Sequence, residues 1–210
     1  MRHTKLIAFD FDGVIVDSAS TYVQSINHVG QCLGANKLLS IDQLALMPDY
    51  RHQFSAEMIE LPRQQFSAFS EQLSLRFHRV QERAKLHRAM GLLLANCLKR
   101  GEVVILSANE QRVIEMALSE LALDSIPIYA RCGREAKANV LADLAQRARV
   151  LMVGDTLSDC RAAASAGVDC VSVAWGWQGR ERLLEAKVPL MASVEELHHW
   201  LVHWSQLSST

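Results

Sequence analysis

Short apolar runs alternate with helix-like segments through the second half of the chain. The apolar runs lie near residues 102–107, 126–129, 149–153 and 169–174, and the helix-like segments lie near 110–121, 135–147 and 158–166. Strands separated by such helices pair in parallel, because each helix returns the chain to the same end of the sheet. The sequence therefore predicts an α/β fold in which a Rossmann-like parallel sheet carries helices on both faces.

An apolar run at residues 6–9 leads directly into Asp10-Phe11-Asp12-Gly13. A run of this kind is typical of a parallel strand that is buried on both faces. Since residues two apart in an extended chain share a face, Asp10 and Asp12 point the same way. Two neighbouring carboxylates repel each other, and a divalent metal ion or a proton-transfer role would compensate for this repulsion. A strand-end turn that uses aspartate for local hydrogen bonds is the alternative, and these two residues alone do not separate the two interpretations.

Polar side chains also close two later apolar runs. Ser107 ends one of them, and Asp155 and Asp159 follow another, while Lys137 lies in the helix-like segment between. In an open α/β sheet the carboxyl ends of the strands line one crevice, so residues that are distant in sequence can converge there. We therefore expect these side chains to form one site with the N-terminal pair of aspartates.

In chain order, these residues resemble the four motifs of the haloacid dehalogenase-like superfamily, in its metal-dependent phosphatase branch. The matching segments are Asp10-Phe11-Asp12-Gly13-Val14, Ser107, Lys137 and Gly154-Asp155-Thr156-Leu157-Ser158-Asp159. One short acidic motif occurs often by chance, whereas four motifs in the correct order are a specific signal. The resemblance covers about residues 1–17 and 90–190, includes Ala174-Trp175-Gly176, and does not extend into the segment between.

Strand-like runs are absent from about Ser18 to Arg88, where helical spacing takes over. Ser40 and Gln43 have the spacing of a capping box, and residues 64–87 contain no Gly or Pro. The resemblance implies that this insertion is a small all-helical cap that closes over the site and selects the substrate. We therefore predict a catalytic core formed by residues 1–17 and 89–210, and a cap formed by residues 18–88.

The resemblance also implies the reaction, which is the Mg²⁺-dependent hydrolysis of a small phosphorylated metabolite through an aspartyl-phosphate. Asp10 would be the nucleophile, and Asp12 would protonate the leaving oxygen and later take a proton from water. The carboxylates of Asp10 and Asp155 and the main-chain carbonyl of Asp12 would bind the metal ion, because Mg²⁺ prefers a few protein oxygens together with water and phosphate.

Four further residues are implied to support this reaction. Ser107 and the backbone at Ala108 would bind the substrate phosphate, and Lys137 would supply a fixed positive charge to the phosphate and to the nucleophile. Asp159 would either bind a water of the metal ion or orient Lys137.

Other functions on the same scaffold remain open. A phosphosugar mutase or a phosphonate hydrolase would be a related enzyme; the mutase would share Asp10 and Asp12, so its products alone distinguish it. A phosphate-binding module without turnover is a further alternative, although every expected catalytic residue is present. Dehalogenation is disfavoured because the dehalogenase branch of the family does not keep the second aspartate of the first motif, which is present here as Asp12.

The chain departs from one pattern of its relatives. Ala138 follows Lys137, where many sugar-phosphate and phosphoglycolate phosphatases have proline, and Asp155 comes only 18 residues after the lysine. No catalytic group is lost, but the resemblance does not extend to the substrates of those enzymes, which are sugar phosphates and phosphoglycolate.

Composition restricts the location and the partners. With 210 residues, 50% of them hydrophobic, the chain can bury one α/β core and a small second domain. A net charge of −1 disfavours binding to nucleic acid or to an anionic membrane, and no apolar stretch approaches the length of a membrane span. Five cysteines without Cys-x-x-Cys spacing fit reduced thiols. We therefore predict a cytoplasmic protein whose partner is a small phosphorylated molecule, and the oligomeric state stays open.

Overall fold

The computed structural model describes residues 4–47, 50, 52–81 and 85–206. The chain divides into two compact units, of which the larger comprises Met1–Asp17 with Leu86–Thr210 and the smaller comprises Ser18–Lys85. Each unit has its own buried apolar residues and is described separately below.

The strands among the described residues are β1 (Thr4–Phe9), β2 (Val16–Asp17), β3 (Lys85–Leu86), β4 (Glu102–Leu106), β5 (Ile128–Tyr129), β6 (Ala148–Gly154), β7 (Asp169–Val173) and β8 (Leu190–Met191). Six of them form a parallel sheet in the larger unit, in the order β5-β4-β1-β6-β7-β8. Strand β1 lies in the centre, where Ala8 is opposite Val104 on one side and Met152 on the other. The predicted parallel α/β sheet is therefore confirmed.

The helices of the smaller unit are α1 (Ala19–Cys32), α2 (Ile41–Ala45), α3 (His52–Met58) and α4 (Phe66–Gln81). Those of the larger unit are α5 (Arg88–Leu98), α6 (Gln111–Glu120), α7 (Arg134–Ala145), α8 (Leu157–Ala166), α9 (Arg180–Leu183) and α10 (Val194–Gln206). Single 3₁₀ turns occupy Arg63–Gln65 and Leu184–Ala186. None of the helices in the described part of the chain is long and apolar enough to span a lipid bilayer.

Alternation along β1 places helices on both faces of the sheet. Leu6 and Ala8 point to one face, where they are fully buried in a cluster with residues of α7 and α8. Ile7 points to the other face and lines a small apolar cavity with Cys97 of α5 and Leu201 of α10. Because both faces are covered, the strand is apolar and buried from Leu6 to Phe9, as its sequence predicts.

Helix α8 begins and ends at residues with specific capping roles. Its N-cap is Thr156, two residues before the predicted start at Ser158, because Thr156 and Asp159 form a capping box. Its C-cap is Gly167, which takes a left-handed conformation with φ 67°. This start fixes Asp159 in the first turn of the helix, beside the end of β6.

The smaller unit is a helical assembly with a compact core. The ring of Tyr22 in α1 contacts the ring of Phe77 in α4 edge-to-face, with centroids 5.0 Å apart. Phe69 and Leu73 of α4 are fully buried. Helix α2 begins with the predicted capping box, in which Ser40 and Gln43 each accept a hydrogen bond from the other's backbone N–H.

Strands β2 and β3 pair with each other as a second, two-stranded sheet. They lie where the chain passes from the larger unit into the smaller one and back again.

Candidate active site

Three buried polar side chains follow the carboxyl ends of adjacent strands. Asp10 follows β1, Ser107 follows β4, and Asp155 follows β6. Because these strands are parallel neighbours, their carboxyl ends lie at one edge of the sheet. Helices α7 and α8 contribute Lys137 and Asp159, which are also buried. The predicted convergence of these five residues at one edge is therefore observed.

Three of the carboxylates form a tight cluster around one lysine. One oxygen from each of Asp10, Asp155 and Asp159 lies within 4.8 Å of the others. The Nζ atom of Lys137 lies 3.0 Å from Oδ2 of Asp10 and 2.6 Å from Oδ1 of Asp159. With all groups ionised, the cluster would carry more negative than positive charge.

Burial and mutual repulsion shift the pKa values of this cluster. Burial raises the pKa of Asp10 to about 7, against the opposing effect of Lys137, and the neighbouring carboxylates add to the rise. Burial and the charge of Asp10 raise the pKa of Asp155 well above its usual value. Burial alone would lower the pKa of Lys137, but Asp10 and Asp159 reverse this effect and raise it, so the lysine is cationic. The protein alone thus leaves negative charge only partly compensated.

The two oxygens of Asp155 have different environments. Its Oδ2 accepts a hydrogen bond of 2.6 Å from the backbone N–H of Trp177. Its Oδ1 is buried and has no hydrogen-bond partner among the described residues. A buried carboxylate oxygen without a partner is costly unless a cation binds it. Together with the nearby oxygens of Asp10, this atom fits a hard divalent cation, which takes oxygen ligands.

Both oxygens of Asp159 are bound by the protein itself. Oδ1 accepts from Lys137, and Oδ2 accepts from the hydroxyl of Thr156 at 2.6 Å and from its backbone N–H at 3.2 Å. Of the two roles that the sequence leaves open for Asp159, these contacts favour the one that orients Lys137.

Asp12 lies in a tight turn after β1 and does not belong to the carboxylate cluster. Its Oδ2 accepts a hydrogen bond of 3.0 Å from Nδ2 of Asn109, which is buried. The turn closes with a hydrogen bond of 2.8 Å from the N–H of Gly13 to the carbonyl of Val16. One oxygen of the Asp12 carboxylate is therefore oriented by a buried amide.

Asn109 is a site residue that the sequence analysis does not predict. Besides binding Asp12, it donates its backbone N–H to the hydroxyl oxygen of Ser107 at 3.1 Å. It thereby organises the turn after β4, in which Ala108 is exposed. Its position in the sequence is a signal that indicates a site residue, because a polar residue two places beyond the serine that ends β4 lies at the same edge of the sheet.

The loop after β7 is a second contribution, of which the resemblance includes Ala174-Trp175-Gly176 but assigns them no role. Trp177 binds Asp155 through its backbone, and the side chain of Gln178 accepts from the N–H of Leu157 at 2.6 Å. Gly13 and Gly176 pack directly on Asp155, because a Cβ atom at these positions would lie 1.9 and 2.2 Å from its Oδ2. The carboxylate is thus enclosed on the side that faces away from its free oxygen.

Comparison with known proteins agrees with this geometry. Residues 4–167 match the family model described as haloacid dehalogenase-like hydrolase, and the chain belongs to this family. A phosphoglycolate phosphatase from Synechococcus elongatus is 30% identical to the chain, with 86% of this chain and 88% of that protein covered. The predicted family and enzyme class, a haloacid dehalogenase-like phosphatase, are therefore confirmed.

Two solved structures illustrate the likeness of fold. A haloacid dehalogenase-like family protein from Streptococcus pneumoniae has a TM-score of 0.79 and 18% identity, over 95% of this chain and 98% of that one. Protein tyrosine kinase A from Mycobacterium tuberculosis has a TM-score of 0.74 and 25% identity, over the same shares. Proteins with different names thus share this fold, so the particular reaction has to be argued from the site.

Proposed function

We propose that this phosphatase hydrolyses a small phosphorylated metabolite in a Mg²⁺-dependent reaction through an aspartyl-phosphate. The observation that carries the proposal is the buried group of Asp10, Asp155 and Lys137, in which one oxygen of Asp155 has no hydrogen-bond partner among the described residues. A cation and a phosphate would together complete the charges of this group.

Mg²⁺ would be held by the carboxylates of Asp10 and Asp155 and by the main-chain carbonyl of Asp12. When bound, it would supply positive charge that offsets the approach of the phosphate dianion to a carboxylate. An all-oxygen donor set supports Mg²⁺ over softer metal ions.

Asp10 is the proposed nucleophile. Its Oδ1 accepts a hydrogen bond of 2.8 Å from the N–H of Phe11, and its Oδ2 lies beside Lys137. These contacts restrain the carboxylate, which favours attack from one fixed direction. Attack on phosphorus forms the acyl phosphate and breaks the bond to the leaving oxygen. Lys137 would remain cationic throughout and stabilise the negative charge on the transferred group.

Asp12 is the proposed general acid and base. It would give a proton to the leaving oxygen and then take one from the water that hydrolyses the acyl phosphate. The hydrogen bond from Asn109 supports this role because it fixes the direction in which the carboxylate points. The hydroxyl of Ser107 and the N–H of Ala108, at the end of β4, would donate hydrogen bonds to the phosphoryl oxygens.

The proposed substrate class is a phosphate monoester of a small metabolite, without a choice of leaving group. The named activity of the Synechococcus relative makes phosphoglycolate a compound to test, while Ala138 breaks a pattern of many such enzymes. The predicted cap, residues 18–88, would select the leaving group. We also propose a reducing location such as the cytoplasm, which the five free cysteines support.

A screen of the purified protein against phosphorylated metabolites tests the proposal. Release of inorganic phosphate is measured with Mg²⁺, with a chelator, and for an Asp10→Asn variant. We expect phosphate release from at least one compound, which both the chelator and the variant abolish. Transfer of the phosphoryl group to a second hydroxyl of the substrate would indicate a mutase instead. Turnover by Asp10→Asn would contradict the assignment of the nucleophile.

A further inference from the structure

The loop after β7, residues 174–178, binds both ends of the short segment that joins β6 to α8. The N–H of Trp177 donates to Oδ2 of Asp155, and Oε1 of Gln178 accepts from the N–H of Leu157, each at 2.6 Å. Two consecutive residues of the loop therefore hold two residues that flank Thr156. These two hydrogen bonds fix the position of the loop relative to the segment that carries Asp155.

Gln178 provides a helix cap from a distant part of the chain. Leu157 is the first residue of α8, whose N–H has no acceptor within the helix. Thr156 caps Asp159 locally, whereas Gln178 reaches Leu157 from 21 residues away and is only 1% exposed. Its amide oxygen is thus a buried acceptor whose loss would leave a buried N–H unpaired.

The orientation of Asp155 depends on the position of this loop. The N–H of Trp177 donates its hydrogen bond to Oδ2. The other oxygen, Oδ1, is therefore the one without a hydrogen-bond partner among the described residues. Gly176 packs so closely that a Cβ atom would lie 2.2 Å from Oδ2. If the loop were to shift, the Trp177 hydrogen bond would weaken and the carboxylate could rotate.

We propose that Gln178 is a positioning residue, which anchors the loop so that Asp155 presents Oδ1 to the divalent cation. This inference rests on the proposed function, since it assumes that Asp155 is a metal ligand. Gln178 itself touches neither the metal ion nor the substrate in this scheme. Its effect reaches the metal through Trp177 and the orientation of one carboxylate.

The test is direct measurement of Mn²⁺ binding to the full chain by electron paramagnetic resonance, independent of turnover. Gln178→Met keeps the length of the side chain and removes its whole amide group, while Gln178→Glu also loses the NH₂ donor but keeps an acceptor oxygen at the same reach. We expect Gln178→Met to weaken Mn²⁺ binding about tenfold, at the low end of the effect of outer partners of metal ligands. The Mn²⁺ affinity of Gln178→Glu should lie within about threefold of that of the wild type, because this variant keeps the acceptor for the N–H of Leu157.

Gln43→Met is the matched control, because Gln43 also accepts a backbone N–H at a helix start, at 2.9 Å from Ser40, but lies in the smaller unit. It should leave Mn²⁺ affinity unchanged. Activity provides a second readout: Gln178→Met should require about tenfold more Mg²⁺ for half-maximal turnover, with kcat largely restored at saturating Mg²⁺.

The results distinguish failure of the positioning role from failure of the proposed metal site. Unchanged Mn²⁺ affinity in a folded Gln178→Met variant, even one that is less stable, would overturn the positioning role and leave the metal site standing. Absence of Mn²⁺ binding by the wild type would overturn both. If Gln178→Met does not fold, Gln178→Asn, whose amide is one methylene too short to reach Leu157, is compared with Gln178→Glu under the same criteria.

Discussion

Replacing Lys137 by methionine should destabilise the larger unit and slow the reaction. The Nζ atom of Lys137 lies between Asp10 and Asp159, at 3.0 and 2.6 Å, and all three side chains are almost fully buried. Methionine has a similar length and volume, so little packing is lost. The variant therefore reports chiefly on the removal of a buried positive charge.

The magnitude follows from the partners that remain. Removal of one member of a buried ion pair typically costs about 3–5 kcal/mol, because the other charge is left uncompensated. Asp159 keeps its hydrogen bonds from Thr156, and Asp10, whose pKa is already raised to about 7 and rises further without Lys137, can take up a proton. We therefore expect a loss of about 3 kcal/mol in the free energy of unfolding at pH 8, towards the low end of that range. At pH 5 the loss should be smaller, since protonated carboxyls no longer need the lysine.

Urea unfolding followed by circular dichroism in the presence of a chelator measures this loss. Lys99→Met, at an exposed lysine, is the control and should change the free energy of unfolding by no more than about 0.5 kcal/mol. Adding Asp159→Asn to Lys137→Met should recover part of the loss. Turnover of Lys137→Met with Mg²⁺ should fall about 10²–10³-fold. A loss below about 1 kcal/mol at pH 8, or an equal loss at both pH values, would refute this account of the charge cluster.

Two further predictions concern the aspartates after β1. Without metal, Asp10 binds a proton more tightly in the folded than in the unfolded chain. Its contribution to stability should therefore be complete below about pH 4 and be lost as the pH rises through about 7. Thermal unfolding with chelator across this range measures the contribution, and added Mg²⁺ should reduce the loss at high pH. Asp12→Asn should still form a phosphoenzyme from an aryl phosphate, whose leaving group needs no proton, and then hydrolyse it about 10²–10⁴-fold more slowly. Rapid quench with labelled substrate locates the phosphoryl group, and a label on histidine or cysteine would contradict the scheme.

The edge of the sheet that carries the site is the part of the fold that the sequence predicts well. The runs that end at Asp10, Ser107 and Asp155 are apolar on both faces, so their strand character and their shared edge follow from periodicity and chain order. The start of α2 is also predicted, from a local signal, because Ser40 and Gln43 have the spacing of a capping box.

The residues that hold the site in place are not accessible to the same reasoning. Asn109 reaches Asp12 across 97 residues, and Gln178 reaches Leu157 across 21. Neither contact has a period or a local spacing that could reveal it. The contact of Trp177 uses its backbone N–H, so its side chain carries no information about the hydrogen bond. Strands β2, β3 and β8 have two residues each and are not predicted, whereas β5, of the same length, lies in the apolar run near residues 126–129.

The pairing of β2 with β3 makes the smaller unit exchangeable in principle. Strands of a sheet lie about 4.8 Å apart. The N–H of His87 donates to the carbonyl of Ile15 at 3.0 Å, so the chain returns beside the point at which it left. A tight turn could join the two strands without redirecting the core, and a different insertion could be placed there without changing the register of β1. The edge of the sheet that carries the candidate site and the segment between residues 17 and 86 can therefore vary independently of each other.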